Sequence, residues 1–196
     1  MDFKMNLIEK LHQGPVLCAE GYLFAMERRG YLQAGAYVPE VVLEHPEVVT
    51  QLHREFIRAG SDVVQAFTYY GHREKLRLIG KEDLLEPLQK NALKIAKDAA
   101  DEFPELDLMI AGNVANTNIY SPTDKQSHID CQKMFAEQIA WAKEAGVDFV
   151  IAETINWTEA AQLALKEIKD YGLIAIFKLE NHKGNNKKED TSSAKQ

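Results

Sequence analysis

The chain is poor in the residues that mark a metal cage, a disulfide scaffold or a membrane segment. Its 196 residues include two cysteines, Cys18 and Cys131, far apart and on different kinds of element. That argues against a disulfide framework and for a reducing compartment, so a cytoplasmic setting is expected. No Cys-x-x-Cys, no His-x-x-x-His and no adjacent cysteine pair occurs, which leaves no recognisable metal motif. A Gly-rich phosphate loop is also missing. No apolar run approaches the about 20 residues that cross a bilayer. The opening stretch, MDFKMNLIEKL, lacks the apolar core of a signal peptide, so none is expected. Basic residues are in deficit: 23 Lys and Arg against 30 Asp and Glu leave a net charge of -7. That balance argues against nucleic acid or an anionic membrane surface as partner.

What is present fits a packed domain, with 45% hydrophobic and 27% charged residues. The most informative pattern is a phrase that occurs twice, AGSDVVQAFT from Ala59 to Thr68 and AGVDFVIAET from Ala145 to Thr154. Each copy follows an amphipathic stretch, stops it at a glycine, and opens a run rich in Val, Ile and Phe. That is a helix end leading into a strand buried on both faces. One further unit fits between the copies, so the repeat is a strand plus a helix of about 43 residues. Such units predict a parallel sheet and, at this pitch, a (β/α)8 TIM barrel. About four and a half units are present, so an incomplete barrel over 1–177 is expected.

In detail, a lead-in helix is predicted over Met5–Leu11 and a first strand over Val16–Ala19. Pro39 and Pro46 each suit the first turn of a helix. A second strand is predicted over Asp62–Phe67, a long helix over Lys81–Glu102, and a third strand over Leu106–Ala111 with Gly112–Thr117 as its loop. The next helix, carrying Met134, Phe135 and Ile139, ends at Gly146. A fourth strand, Val147–Ala152, ends at Glu153, and a helix from Thr158 stops at Gly172. Leu173–Phe177 begins a fifth strand. Residues 178–196, without periodicity or apolar content, predict a disordered polar tail.

Ligands of such folds bind at the carboxyl ends of the strands. Those ends offer Glu20; Thr68, Tyr69 and Tyr70; Asn113, Asn116 and Thr117; and Glu153 with Thr154. Glu153 follows an unbroken apolar strand, where a carboxylate needs a partner. Either a ligand ammonium or a Lys or Arg of a neighbouring loop would serve. Tyr37, Tyr69 and Tyr70 could face a quaternary ammonium, or could simply pack. His53 reads as part of a solvated helix face, His45 as part of a helix start, and His72 as within reach of a site. Cys18 reads as a small core residue and Cys131 as a helix residue.

Three segments then carry a resemblance: VLCAEGYLFAMERRGYLQAG, EHPEVVTQLHREFIRAGSDVVQAFTYYGHREKL and VDFVIAETINWTEAAQLAL. Together they resemble the homocysteine S-methyltransferase family, particularly its betaine-using branch, over roughly Ile8–Ile176. The resemblance implies a zinc-dependent barrel that moves a methyl group from betaine or a related donor to the zinc-bound thiolate of homocysteine, giving methionine. It implies that Glu153 holds the substrate amino group and that Tyr70 lies near the methyl donor. Tyr37 stands where betaine enzymes carry tryptophan. Glu20 stands one position after the family aspartate. Thr68 and Asn113 complete the substrate-binding set expected here. Neither Cys18 nor Cys131 matches the three zinc cysteines of the family, so no metal is expected to bind this chain and no residue is assigned a catalytic role. The expectation is an inactive, incomplete form. The alternative is a non-catalytic half-barrel that pairs with itself or with a full-length relative. Glu153 is further expected to lie near Glu20 with no basic side chain in contact.

Overall fold

A computed structural model describes residues 5–32 and 38–179. Helices α1 (Leu7–Gln13), α2 (Tyr22–Arg28), α3 (Val41–Glu44) and α4 (Pro46–Arg58) lead into strand β1 (Val63–Gln65). Then follow α5 (Arg73–Leu78), a 3-10 turn at Glu82–Leu84, α6 (Leu85–Asp101) and β2 (Met109–Ala115). The chain continues through α7 (Lys125–Ala145), β3 (Phe149–Ile155), α8 (Thr158–Asp170) and β4 (Ile174–Leu179). The sheet is parallel throughout, with its strands in chain order β1-β2-β3-β4. A doubly wound sheet would reverse direction part-way; sequential order is the arc of a barrel.

The two faces of this arc differ. Val64, Ala66, Ile110, Val114, Val150 and Ala152 turn outward into a core shared with α6, α7 and α8. Val63, Met109, Ala111, Phe149 and Ile151 turn inward and form a separate cluster, to which the helices contribute only Leu7 of α1. Alternation along each strand sorts the side chains in this way. Gly112 lies on the outward face, where a Cβ would stand 3.0 Å from that of Ala142, so its bareness lets α7 settle on β2.

The repeated phrase performs the same task twice. Gly60 and Gly146, at φ 101° and 77°, take the left-handed conformation that ends α4 and α7. Two residues on, Asp62 donates its N–H to the Leu17 carbonyl (2.8 Å), and its carboxylate accepts from Leu17 N (2.8 Å). Asp148 makes the identical pair with Ile110, at 2.8 and 2.7 Å. Each aspartate thus ties the start of its own strand to the strand before it. Asp148→Ala leaves the N–H of Ile110, a residue 7% exposed, without its acceptor. A loss of about 1–3 kcal/mol is expected in denaturant unfolding, with Asp148→Asn intermediate because its amide oxygen still accepts.

Several boundaries differ from the sequence reading. The first strand shrinks to one parallel bridge, Cys18 to Val63. The Ser61 hydroxyl, which accepts from Ala19 N at 3.0 Å, and the Asp62 carboxylate take the places of ladder partners. The third strand starts three residues later than predicted and runs through Gly112–Ala115. Helices α2 and α5 were not foreseen. Pro46 opens α4 as predicted, whereas Pro39 precedes α3 and offers its carbonyl to Val42 N (3.1 Å). The fifth predicted strand is β4, which extends past Phe177 to include Lys178 and Leu179. The remainder of the predicted tail, 180–196, lies outside the described residues.

Candidate functional site

The inward face changes character along its strands. Near their starts stand Val63, Met109, Phe149 and Ile174, an apolar floor. The same period of two then brings Gln65 of β1, Asn113 of β2, Glu153 of β3 and Lys178 of β4 to the carboxyl ends. Register supports the grouping, with Gln65 beside Ala111, Asn113 beside Ile151 and Glu153 beside Lys178.

Glu153 is the centre of this polar layer. Its Oε1 accepts from Gln65 Nε2 at 3.0 Å and from the Asn113 amide. Its Oε2 lies 3.8 Å from Lys178 Nζ, which also rests against the carboxylate of Glu20. The expectation that no basic group would touch Glu153 is therefore overturned. The lysine sits on the strand that the sequence reading ended two residues too early, so it was assigned to the tail. The meeting of Glu20 and Glu153 at one mouth is as expected.

Beside these carboxylates is a cavity of about 260 Å³, walled by Glu20, Tyr22, Phe67, Tyr69, Glu153 and Thr154. Thr154 has φ 56°, rare for a β-branched residue, and it falls where the β3–β4 register shifts. Its hydroxyl donates to the Glu153 carbonyl at 2.7 Å. Tyr69 hydrogen-bonds Thr154, and burial raises the Tyr69 phenol above its ordinary value. Tyr22 stacks on Phe67 at 5.8 Å between ring centroids and meets His53 Nδ1 through its hydroxyl at 3.1 Å.

The other predicted residues lie close by but face elsewhere. Thr68 is buried and donates to the Asn113 carbonyl at 2.8 Å, locking β1 to β2. Tyr70, at φ 58°, packs against Tyr69, and its ring carries Lys75 Nζ 4.1 Å from the centroid. Asn116 bonds Asn118, and Thr117 meets Cys131 Sγ at 3.0 Å in the outer layer. Tyr37 lies outside the described residues. His72 is buried as the N-cap of α5, and burial holds it down at about 4. His53, read as solvated, is 0% exposed; it stands four residues after Val49, on the buried stripe of α4. Burial lowers its pKa to about 3.

Gln65, Tyr22 and Lys178 are the site residues that sequence reasoning missed. Alternation from Val63 and from Ile174 was the signal for Gln65 and Lys178, since both fall on the face that holds Glu153.

The zinc implied by the resemblance does not fit the described residues. No group of three His, Cys, Asp or Glu among them could hold a metal ion. Cys18 is the one cysteine near the mouth, and burial pushes its thiol up to about 11, away from the thiolate a metal needs. No helix among the described residues is long and apolar enough to cross a membrane.

A family model described as homocysteine S-methyltransferase matches residues 21–194. Betaine–homocysteine S-methyltransferase 1 of Mus musculus is 37% identical over 174 residues, which cover 86% of this chain and 42% of the mouse protein. The Danio rerio enzyme of the same name is 37% identical over 172 residues, with the same two coverages. The chain thus spans about two fifths of the length of these relatives. Among solved structures, the metallated form of the homocysteine methyltransferase MmuM from Escherichia coli matches with a TM-score of 0.73 at 20% identity. That match covers 86% of this chain and 64% of MmuM, and it supports the barrel fold.

Proposed function

The chain belongs to the homocysteine S-methyltransferase family, and on that premise we propose that it builds the amino-group end of a homocysteine site. In this reading it is part of an S-methyltransferase that passes a methyl group from betaine or a related donor to the sulfur of homocysteine, giving methionine. The observation that carries it is the carboxylate of Glu153, fixed at the end of β3 by two amides on one oxygen, with the other oxygen left towards a cation. A substrate ammonium placed there gains a charge-assisted hydrogen bond at the edge of an apolar floor. Glu20 adds a second negative charge. Asn113 orients Glu153, and Thr68 holds Asn113 in register. Tyr69, Phe67 and Tyr22 offer ring faces to a quaternary ammonium donor, with Tyr70 and Tyr37 placed on the donor side by resemblance. No residue described here activates the homocysteine thiol, so the chain alone is proposed to bind without turnover.

Calorimetric titration with L-homocysteine tests this reading. Glu153→Gln removes an ionic hydrogen bond of about 1.5–3 kcal/mol and should weaken binding roughly tenfold to a hundredfold. Equal affinity of the variant and the parent would rule out Glu153 as the ammonium ligand.

A second reading, a non-catalytic module that pairs with another copy or a relative, draws on Ile174 and Ile176. Both are half-buried on the inward face, where neighbouring strands carry fully buried side chains. Light scattering that returns a monomer across the accessible concentration range would remove it.

A further inference from the structure

Lys178 closes the polar layer in an unusual way. Its Nζ is buried although the side chain as a whole is 32% exposed, and it lies between two carboxylates on different elements. Glu20 comes from the turn before α2, and Glu153 from the end of β3. Glu153 Oε1 is already occupied by Gln65 and Asn113, so only Oε2 remains for a cation. Asn113, 3% exposed, spends its amide on Glu153, and its side-chain oxygen is buried with no donor. The cradle therefore offers a cation the carboxylates of Glu20 and Glu153, and the Lys178 ammonium already lies between them.

We propose that Lys178 is a tethered stand-in for the ligand's ammonium: in the free chain it fills the subsite formed by Glu153 and Glu20, and a primary-ammonium ligand must displace it. The inference rests on the reading of Glu153 given above and names its regulator. A lysine suits the task, because its compact charge sits on a four-carbon stem with free rotation and an exposed path outward. Two carboxylates against one lysine leave the cradle with one negative charge in excess, so a second cation is attracted before the first has left. The cost to the ligand is competition. If Lys178 fills the cradle nine-tenths of the time, the apparent affinity is lowered about tenfold relative to an open site.

The test compares the wild-type chain with Lys178→Met and with the double variant Lys178→Met/Glu153→Gln. The probes are L-homocysteine in calorimetry and methylammonium chloride in thermal unfolding, with tetramethylammonium chloride at equal ionic strength as the control without donors. The expected result is that Lys178→Met binds homocysteine about tenfold tighter than wild type. Methylammonium, but not tetramethylammonium, should stabilise Lys178→Met saturably and leave wild type unchanged. The added Glu153→Gln should abolish both gains. Binding that is unchanged or weaker in Lys178→Met would overturn the inference, since Lys178 would then be an ordinary pair or a handle for the ligand carboxylate. Equal stabilisation of wild type and variant by methylammonium would overturn it too. If homocysteine binds neither protein while methylammonium stabilises only Lys178→Met, the tethered cation stands and the homocysteine reading falls. Should Lys178→Met fail to fold, Lys178→Gln carries the same comparisons. Failure of both to fold in saturating methylammonium counts against the proposal.

Discussion

Acidification from pH 6.5 to 4.5 should destabilise the chain by about 2–3 kcal/mol through one buried ring. The cause is His53. Its ring lies 0% exposed between Tyr22 and the body of α4, and burial holds its pKa at about 3 against an ordinary 6.5. Between those values the unfolded chain takes up a proton that the folded chain refuses. The stability is therefore complete above pH 6.5 and lost as pH falls towards 3, at up to about 1.4 kcal/mol per pH unit for one fully buried ring. His72 is lowered to about 4 and pulls in the same direction. Urea unfolding at steps of pH between 7 and 4.5 reads the slope directly. His53→Gln, which keeps a polar group opposite Tyr22, should remove roughly half of it. An unaltered slope in the variant would mean that His53 is accessible to protons in the folded chain.

His53 also illustrates how the sequence was misread. Flanked by Arg54 and Glu55, it looked solvated, but on a helix the neighbours that matter are Val49 and Ile57, each four residues away and both buried. The error was one of period. The same holds in the sheet, where Gly112 and Asn113 looked like a loop because neither favours a strand. Gly112 is bare so that α7 can approach, and Asn113 points at Glu153. Both break local preference where packing or function requires it.

What the sequence did carry was the frame. The Ala-Gly-x-Asp phrase located two helix stops and two strand starts, because its glycine and aspartate each have one backbone task. Glu153 was legible for a related reason: a carboxylate that follows an apolar strand must meet a partner at the strand's end. The identity of the partner was not legible, since Lys178 lies 25 residues further along and meets Glu153 only through the β3–β4 register. Contacts across strands depend on register, and register follows from the whole sheet.

Phe149→Ala should cost about 3–5 kcal/mol, the largest single loss expected from the inward face. Phe149 is 1% exposed and is the one aromatic ring in the floor, surrounded by Val63, Met109, Ala111 and Ile151. A domain of this size has about 5–15 kcal/mol in hand, so such a change brings it near to unfolding at physiological temperature. Phe135, fully buried in the outward core, provides the comparison, since Phe135→Ala removes the same ring from the helix side. Both variants should lose similar stability, yet only Phe149→Ala should disturb the mouth. Phe149, Ile151 and Glu153 occupy alternate positions on one strand and one face, so a cavity under the first lets the last shift against Gln65 and Asn113. Measured at a temperature where both variants are folded, cation binding should weaken in Phe149→Ala and persist in Phe135→Ala. Undiminished binding in Phe149→Ala would mean that the floor does not hold the carboxylate and that Gln65 and Asn113 alone set its position.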